Sequence, residues 1–357
     1  MRGPGIRGER LSAPIVPAST GDGRRLHRLC LRAVRDFRLE LKGARVLTEA
    51  ASGAFVVTPL LAAVAGADVD AVVRDSRYGR AADVITRTRE LAEAWDVGDR
   101  ILCHPRLESE TIGRADIVTN LGFVRPIDRT FVSRLKPSAV IPLMWETWEY
   151  REEDLDLAAC RERGVAVLGT NEADARVGTL DDVGRLSVKL LREAGVEIRG
   201  SRIAVVGGGV FREKIRGALS RLGSDPDVDR FPDETDAVLI AEHHRKELLI
   251  GDGGRVRLPA DWWKGRKVIH LCGRIDADWL KQAGAEVTPG SPAPFGRMSF
   301  TTGHLGPGPV IRLHAAGLKV GEAMWRGRRQ GLRGTEFLRG VMSQAPAMNF
   351  PDDLACL

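Results

Sequence analysis

"AVVGGGVFREKI", residues Ala204–Ile215, closes an apolar run with three glycines and opens at once into a helix-like stretch. Such a junction either cradles the phosphates of a dinucleotide or is a tight strand-to-helix turn and nothing more. In a dinucleotide-binding unit the first glycine makes the turn, the second lets backbone approach a pyrophosphate, and the third lets helix and strand pack closely. Gly207 and Gly209 take the first two places, and Arg212 stands at the third. The N–H groups of the helix start are aimed at an anion. The acid that should close a second strand is missing in its usual form: "SDPDVDRFPDETD" offers Asp225, Asp227 and Asp229 in a stretch that hardly reads as a strand. Gly207, Gly208, Gly209, Val210, Phe211, Arg212 and Asp227 are therefore the candidate nucleotide-binding residues, with a purely structural turn as the alternative.

Working outward, a strand–helix alternation begins at Lys42. "ARVLTEA", "DVDAVVRD", "RILCH", "ADIVTNLG" and "SAVIPLMW" read as strands. "SGAFVVTPLLAAVAG", "AADVITRTRELAEAW" and "DRTFVSRLKP" read as the helices between them. This order with short connections predicts a parallel sheet covered on both faces. After Trp145 come an acidic stretch, one more helix and strand, and the long helix "TLDDVGRLSVKLLREAG", with Thr179 as its expected N-cap. A second βα series starts at "SRIAVVGGG", and a long helix, "PVIRLHAAGLKVGEAMWRGRRQG", lies near the end. The expected fold is α/β: two Rossmann-like domains with parallel sheets flanked by helices and a cleft between them. The expected divisions are a flexible tail over 1–25, a substrate domain over 26–171 plus 316–357, and a dinucleotide-binding domain over 172–315.

Composition sets the remaining bounds. A chain of 357 residues is long for one core, and its 43% hydrophobic content is that of a globular protein. No apolar run approaches the ~20 residues of a membrane helix. The net charge of +6 comes from arginines interleaved with acids, without a basic run studded with aromatics, so nucleic acid is not expected as a partner. The five cysteines are scattered without a CxxC pair, which predicts neither a disulfide framework nor a metal site and suits a reducing cytoplasm.

Four other groups could carry chemistry. His304 sits in "SFTTGHLGPGP", a loop of small residues before the last long helix, where an imidazole could exchange a proton with a substrate hydroxyl or carbonyl; His314 is the reserve. Arg274 follows an apolar strand whose end should face the ligand crevice, where a guanidinium can grip a carboxylate with two hydrogen bonds. Ser52 and Gly53 open a helix and could receive an anionic group, or be a plain cap. Glu146, in the aromatic and acidic stretch "LMWETWEYREEDLDL", could act as a base or belong to a hinge. His27 and His104 read as solvated and His270 as a core residue. His243 and His244, taken as strand neighbours, should face opposite sides.

In this order the pieces resemble the NAD-dependent D-2-hydroxyacid dehydrogenases, the formate/glycerate dehydrogenase group, over about Ala115 to Ala323. "DLDLAACRERGVAVLGTNE" is similar to the stretch that leads into that family's cofactor domain, "VIHLCGRID" to the strand with its substrate-binding arginine, and "TTGHLG" to its catalytic histidine loop. The resemblance implies Arg274 for the substrate carboxylate, His304 for the proton, and the backbone of Asn120, Leu121 and Gly122 as a second carboxylate contact. It also implies NAD or NADP as cofactor, a small-molecule substrate and a homodimer. The chain departs from the family at Arg212 and in lacking an evident glutamate to pair with His304; Glu286 and Glu146 are the acids considered for that place. The alternatives are a non-redox binding or scaffold protein with a degenerate loop, and an enzyme that uses a tightly bound NAD transiently, as in the adenosylhomocysteine hydrolase group.

Overall fold

The computed structural model describes residues 20–351, 355 and 356. In chain order, α1 (Thr20–Asp36) precedes β1 (Arg45–Glu49), α2 (Val57–Val64), β2 (Asp68–Val72), α3 (Ala81–Ala94) and β3 (Ile101–His104). Then come α4 (Ser109–Arg114), β4 (Ile117–Val118), α5 (Arg129–Arg134), β5 (Val140–Pro142), α6 (Leu157–Arg163) and β6 (Ala166–Thr170). α7 (Thr179–Glu193) leads to β7 (Ile203–Gly207), α8 (Gly209–Ser220), β8 (Asp227–Val228), β9 (Ala237–Ala241) and β10 (Leu248–Ile250). β11 (Lys267–Cys272), β12 (Arg274–Ile275), α9 (Ala277–Gln282) and β13 (Glu286–Thr288) follow. The described chain ends with α10 (Pro307–Arg329), α11 (Gly334–Gln344) and β14 (Ala347–Met348).

The first sheet has the order β14-β6-β5-β4-β1-β2-β3, all parallel except β14, which runs antiparallel to β6. The second is parallel throughout, in the order β13-β11-β9-β7-β8. Among the described residues it lacks a strand between β8 and β9 in the chain, where a full Rossmann sheet has its third. β6, β7 and β9 are buried along their whole length. That is why they read as unbroken apolar runs: helices cover both faces of a parallel sheet. The fold expected from the sequence, two parallel sheets flanked by helices, is the fold observed.

Two helices tie the sheets together. α7 leaves the first sheet and leads into β7. Its N-cap is Gly178, at φ +70°, and Thr179 is its first helical residue rather than the cap. α10 runs back. Gly317 and Gly321 lie one turn apart on it, and added Cβ atoms there would meet Met144 Sδ at 2.7 Å and Ile117 Cγ2 at 2.8 Å, so α10 lies directly on β4 and the end of β5. Arg312 of α10 clamps α7, donating to the Val177 carbonyl at 2.9 Å and to Asp182. The stretch expected as a tail, 1–25, lies outside the described residues up to 19, and from Thr20 it is helix. α1 buries Leu26, Cys30 and Ala33 at helical spacing, and Phe37 is buried just past its end.

Candidate active site

The finishing ends of β7 and β8 shape the glycine turn. Gly207 has φ +146°, and a Cβ on it would stand 2.2 Å from the Ala241 carbonyl oxygen, so only glycine fits. Gly208 caps α8 with no side-chain hydrogen bond, and Gly209 has φ +62°. Val210 is exposed and Phe211 buried in the second core. The Arg212 guanidinium lies 3.5 Å from the Gly207 carbonyl oxygen and 3.6 Å from Asp229.

Asp227 requires a correction. Its carboxylate turns to Arg202, at 3.1 Å, at the starting end of β7. Asp229, two residues on, reaches the finishing end, where its N–H donates to Val205 and its carboxylate meets Arg212. Asp229 is therefore the acid that directly follows β8 and faces Arg212. Between it and Val206 opens a cavity of about 200 Å³, walled also by Phe231, Arg255 and Leu258. A turn only glycine can make, a helix start without a side-chain cap and a carboxylate at the next strand's end are groups that could hold the adenosine and phosphate side of a dinucleotide.

The other side of the turn is crowded. Glu242 is buried; its Oε1 accepts from the His244 N–H at 3.0 Å. Its Oε2 has no hydrogen bond and lies 3.4 Å from the position of a Cβ on Gly208. His243 stacks on Phe211 with ring centroids 4.3 Å apart and meets Trp148 at 5.2 Å. Burial and the neighbouring His244 push its pKa down to about 4. The two histidine rings do not face opposite sides: their centroids are 3.8 Å apart, because β9 ends at Ala241 and both lie beyond it. Among the described residues no group of three or more His, Cys, Asp or Glu could hold a metal ion.

His304 lies in a short 3₁₀ turn, Thr302–Leu305. Its Nε2 is 2.9 Å from Glu193 Oε2, at the end of α7. Lys189, one turn earlier, donates to the His304 carbonyl at 2.6 Å. The acid beside this histidine is thus Glu193. Glu286 pairs with Lys267 at 2.8 Å, and Glu146 accepts from the Glu172 N–H at 3.1 Å. Next to His304, Gly303 faces Phe55, whose Cε2 lies 3.4 Å from the position of a Cβ on it. The histidine loop therefore borders the Ser52–Gly53 loop of the first sheet. Arg274 is exposed on β12, paired in register with Leu248.

The loop after β4 is partly committed. The Asn120 side-chain oxygen accepts from the Met144 N–H at 2.8 Å. The donor just past Leu121 and Gly122, the Phe123 N–H, is taken by Glu49 at 2.8 Å. Glu49 is buried at the end of β1, and burial raises its pKa against the opposing pull of that bond and of Arg125. Beside the loop lie Glu146, Glu149 and Glu172. Burial, reinforced by Glu146, pushes Glu149 up to about 7 against Arg151 and Arg125. Burial and the other two carboxylates raise Glu172 well above the usual range.

The remaining histidines are structural. His314 is buried, 2.7 Å from Thr58 Oγ1, with its pKa pushed down to about 4 by burial. His270 bonds Ser299 and the Gly273 carbonyl, as a satisfied core residue should. His104 is not solvated: its Nε2 lies 2.7 Å from the buried Asp70. His27 stacks on Trp95 at 4.8 Å. Sequence reasoning does not single out Asp229, Glu193, Glu242 or Glu172 as holding these places. For Asp229 the signal is its place in the acidic run; the others carry no local pattern.

No family model and no curated protein matches the sequence. Solved structures do share its fold. A dipicolinate synthase structure from Bacillus halodurans aligns with a TM-score of 0.52 at 11% identity, over 77% of this chain and 96% of that one. The corresponding polypeptide of the Bacillus subtilis dipicolinate synthase aligns with a TM-score of 0.52 at 10% identity, over 82% and 99%. At such identities the likeness shows the fold, and that fold is the two-domain Rossmann-type architecture implied by the resemblance to the D-2-hydroxyacid dehydrogenases. Among the described residues no helix is long and apolar enough to cross a membrane.

Proposed function

We propose that this chain is an NAD- or NADP-dependent oxidoreductase acting on a small acid that bears a keto or hydroxyl group. The observation that carries the reading is the end of β7: a turn only Gly207 can make, the uncapped start of α8, and Asp229 across a cavity from Val206. Gly207 to Gly209 would hold the pyrophosphate, and Asp229 with Arg212 the adenosine side. When bound, the dinucleotide supplies or accepts the hydride. His304 moves the proton, its imidazole held by Glu193. Arg274 and the loop Asn120 to Gly122 orient the substrate, with Ser52 and Gly53 opposite the histidine loop.

One observation favours a second, non-redox reading. The Glu242 Oε2 atom, with no hydrogen bond and with Arg245 at 3.9 Å, is a carboxylate oxygen beside Gly208, where a pyrophosphate would approach. Binding and turnover separate the two. Consumption of NADH or NADPH with a panel of 2-keto acids supports the oxidoreductase. Failure of NAD, NADH, NADP and NADPH alike to bind supports the second.

A further inference from the structure

We propose that Trp148 occupies the seat of a planar ligand ring at the finishing end of β9, so that a ligand carrying such a ring binds by displacing the indole. The inference rests on the reading of the β7 turn as a dinucleotide site, which makes nicotinamide the displacing ring. The sheet order puts β8 and β9 on either side of β7. In that reading Asp229, directly after β8, and the cavity it lines take the adenosine. A dinucleotide lies across the point where the strand order reverses, so its second nucleoside falls on the β9 side.

The β9 side is an aromatic seat that is already filled. His243, just past the end of β9, and Phe211, in the first turn of α8, are stacked with their planes 29° apart. The seat adjoins the turn, with His243 Cε1 3.7 Å from the position of a Cβ on Gly209. The Trp148 ring lies 5.2 Å from His243 and 6.3 Å from Phe211, edge-on to the latter at 82°. Trp148 comes from the other half of the molecule, in the short 3₁₀ turn Thr147–Glu149 between β5 and α6. It is half-buried and packs against the core of the second sheet. Three residues on, Arg151 donates to the Gly296 carbonyl at 2.9 Å, so the segment bridges the two halves.

The seat also holds polar atoms that the indole leaves unused. Glu242 is 1% exposed and His243 4%. Glu242 Oε1 accepts from the His244 N–H at 3.0 Å and the Arg245 N–H at 3.3 Å. Glu242 Oε2 and His243 Nδ1 make no hydrogen bond among the described residues, and the nearest charge to Oε2 is Arg245 at 3.9 Å. Buried polar atoms left unpaired are costly, and each such atom calls for a partner. The indole stacks and satisfies neither. Burial and His244 hold the His243 pKa down to about 4, so its ring is neutral at pH 7 and offers a stacking face. A flat heterocycle that brings an amide or hydroxyl donor, as nicotinamide and its ribose do, supplies both the stacking and the missing bonds.

The test uses the full chain as wild type, Trp148→Ala and Trp148→Phe, with melting curves to show that the variants fold. NADH, NADPH and ADP-ribose or its 2′-phosphate, which lack the nicotinamide ring, are titrated by calorimetry. Trp148→Ala should bind the preferred reduced dinucleotide at least about 5-fold more tightly than the wild type, because the aromatic contacts no longer have to be broken. It should bind the ring-less ligand equally. Trp148→Phe keeps a ring in the seat and should stay within about 2-fold of the wild type. A second readout needs no alanine variant: saturating the wild type with the oxidised dinucleotide should raise acrylamide quenching of its tryptophan emission. The ring-less ligand should not raise it, and Trp148→Phe should lack the rise. Affinity in Trp148→Ala that is weaker or gains less than about 2-fold, or quenching unchanged by the dinucleotide, overturns the inference and leaves the dinucleotide reading standing. No binding of any of these ligands to any of the three proteins removes that reading and the inference with it.

Discussion

Glu193, at the end of α7, holds the imidazole of His304 across 111 residues of chain, Nε2 to Oε2 at 2.9 Å. The bond joins the helix that leaves the first sheet to the loop from which α10 returns to it. It also fixes which ring nitrogen is engaged, since the Nε2 edge is committed to the carboxylate.

If this pair moves the proton, His304→Ala should lower kcat by about 10²–10⁴-fold. Glu193→Gln should lower kcat by less and leave KM nearly unchanged. Both side chains are more than a third exposed, so neither change should shift stability by more than about 1 kcal/mol. Steady-state kinetics with parallel melting curves check this. Turnover that survives His304→Ala within a few fold removes the histidine from the mechanism.

The glycine turn gives a paired prediction. Gly207→Ala forces a Cβ into the Ala241 carbonyl and should destabilise the chain severely. Gly208→Ala is different: φ is −132° and the new methyl would meet Glu242 Oε2 at an ordinary 3.4 Å. It should fold normally and still weaken dinucleotide binding by about 10-fold or more, because the backbone can no longer approach the pyrophosphate. Unchanged binding in Gly208→Ala would mean that the turn is only a turn.

The half-buried Glu149 predicts a pH dependence of stability. Folding raises Glu149 from 4.5 to about 7. Its contribution is therefore complete below 4.5 and is lost as pH rises through 7. Glu149→Gln should match the wild type near pH 4 and exceed it near pH 8 by on the order of 1–3 kcal/mol. His243 and His314, lowered from 6.5 to about 4, act in the opposite sense below 6.5 but are common to both proteins and cancel. Denaturant melts across the range check this, and a variant less stable than the wild type near pH 8 contradicts it.

The strands buried on both faces were legible as unbroken apolar runs; β7, which ends in Gly207, and β9 are of this kind. α10 was legible as a long helix from Pro309, and the structure starts it two residues earlier, at Pro307, a residue that suits the first turn of a helix. β8 did not, since two residues in an acidic stretch show no period. α1 was hidden by glycine and arginine at its start, although Leu26, Cys30 and Ala33 carry its buried stripe. The proposed proton-transfer residue, His304, is suggested by its small-residue loop. Its partner is not, because nothing near Glu193 in the chain marks which distant loop packs against the end of α7.

The most direct measurement of the central claim is a titration of the purified chain with NAD, NADH, NADP and NADPH, following melting temperature and nicotinamide fluorescence. The account predicts a melting temperature that rises with the concentration of at least one of them, as linkage requires, and a loss of that rise in Gly208→Ala. No rise with any of the four, together with no nucleotide absorbance released from the denatured protein, would contradict it.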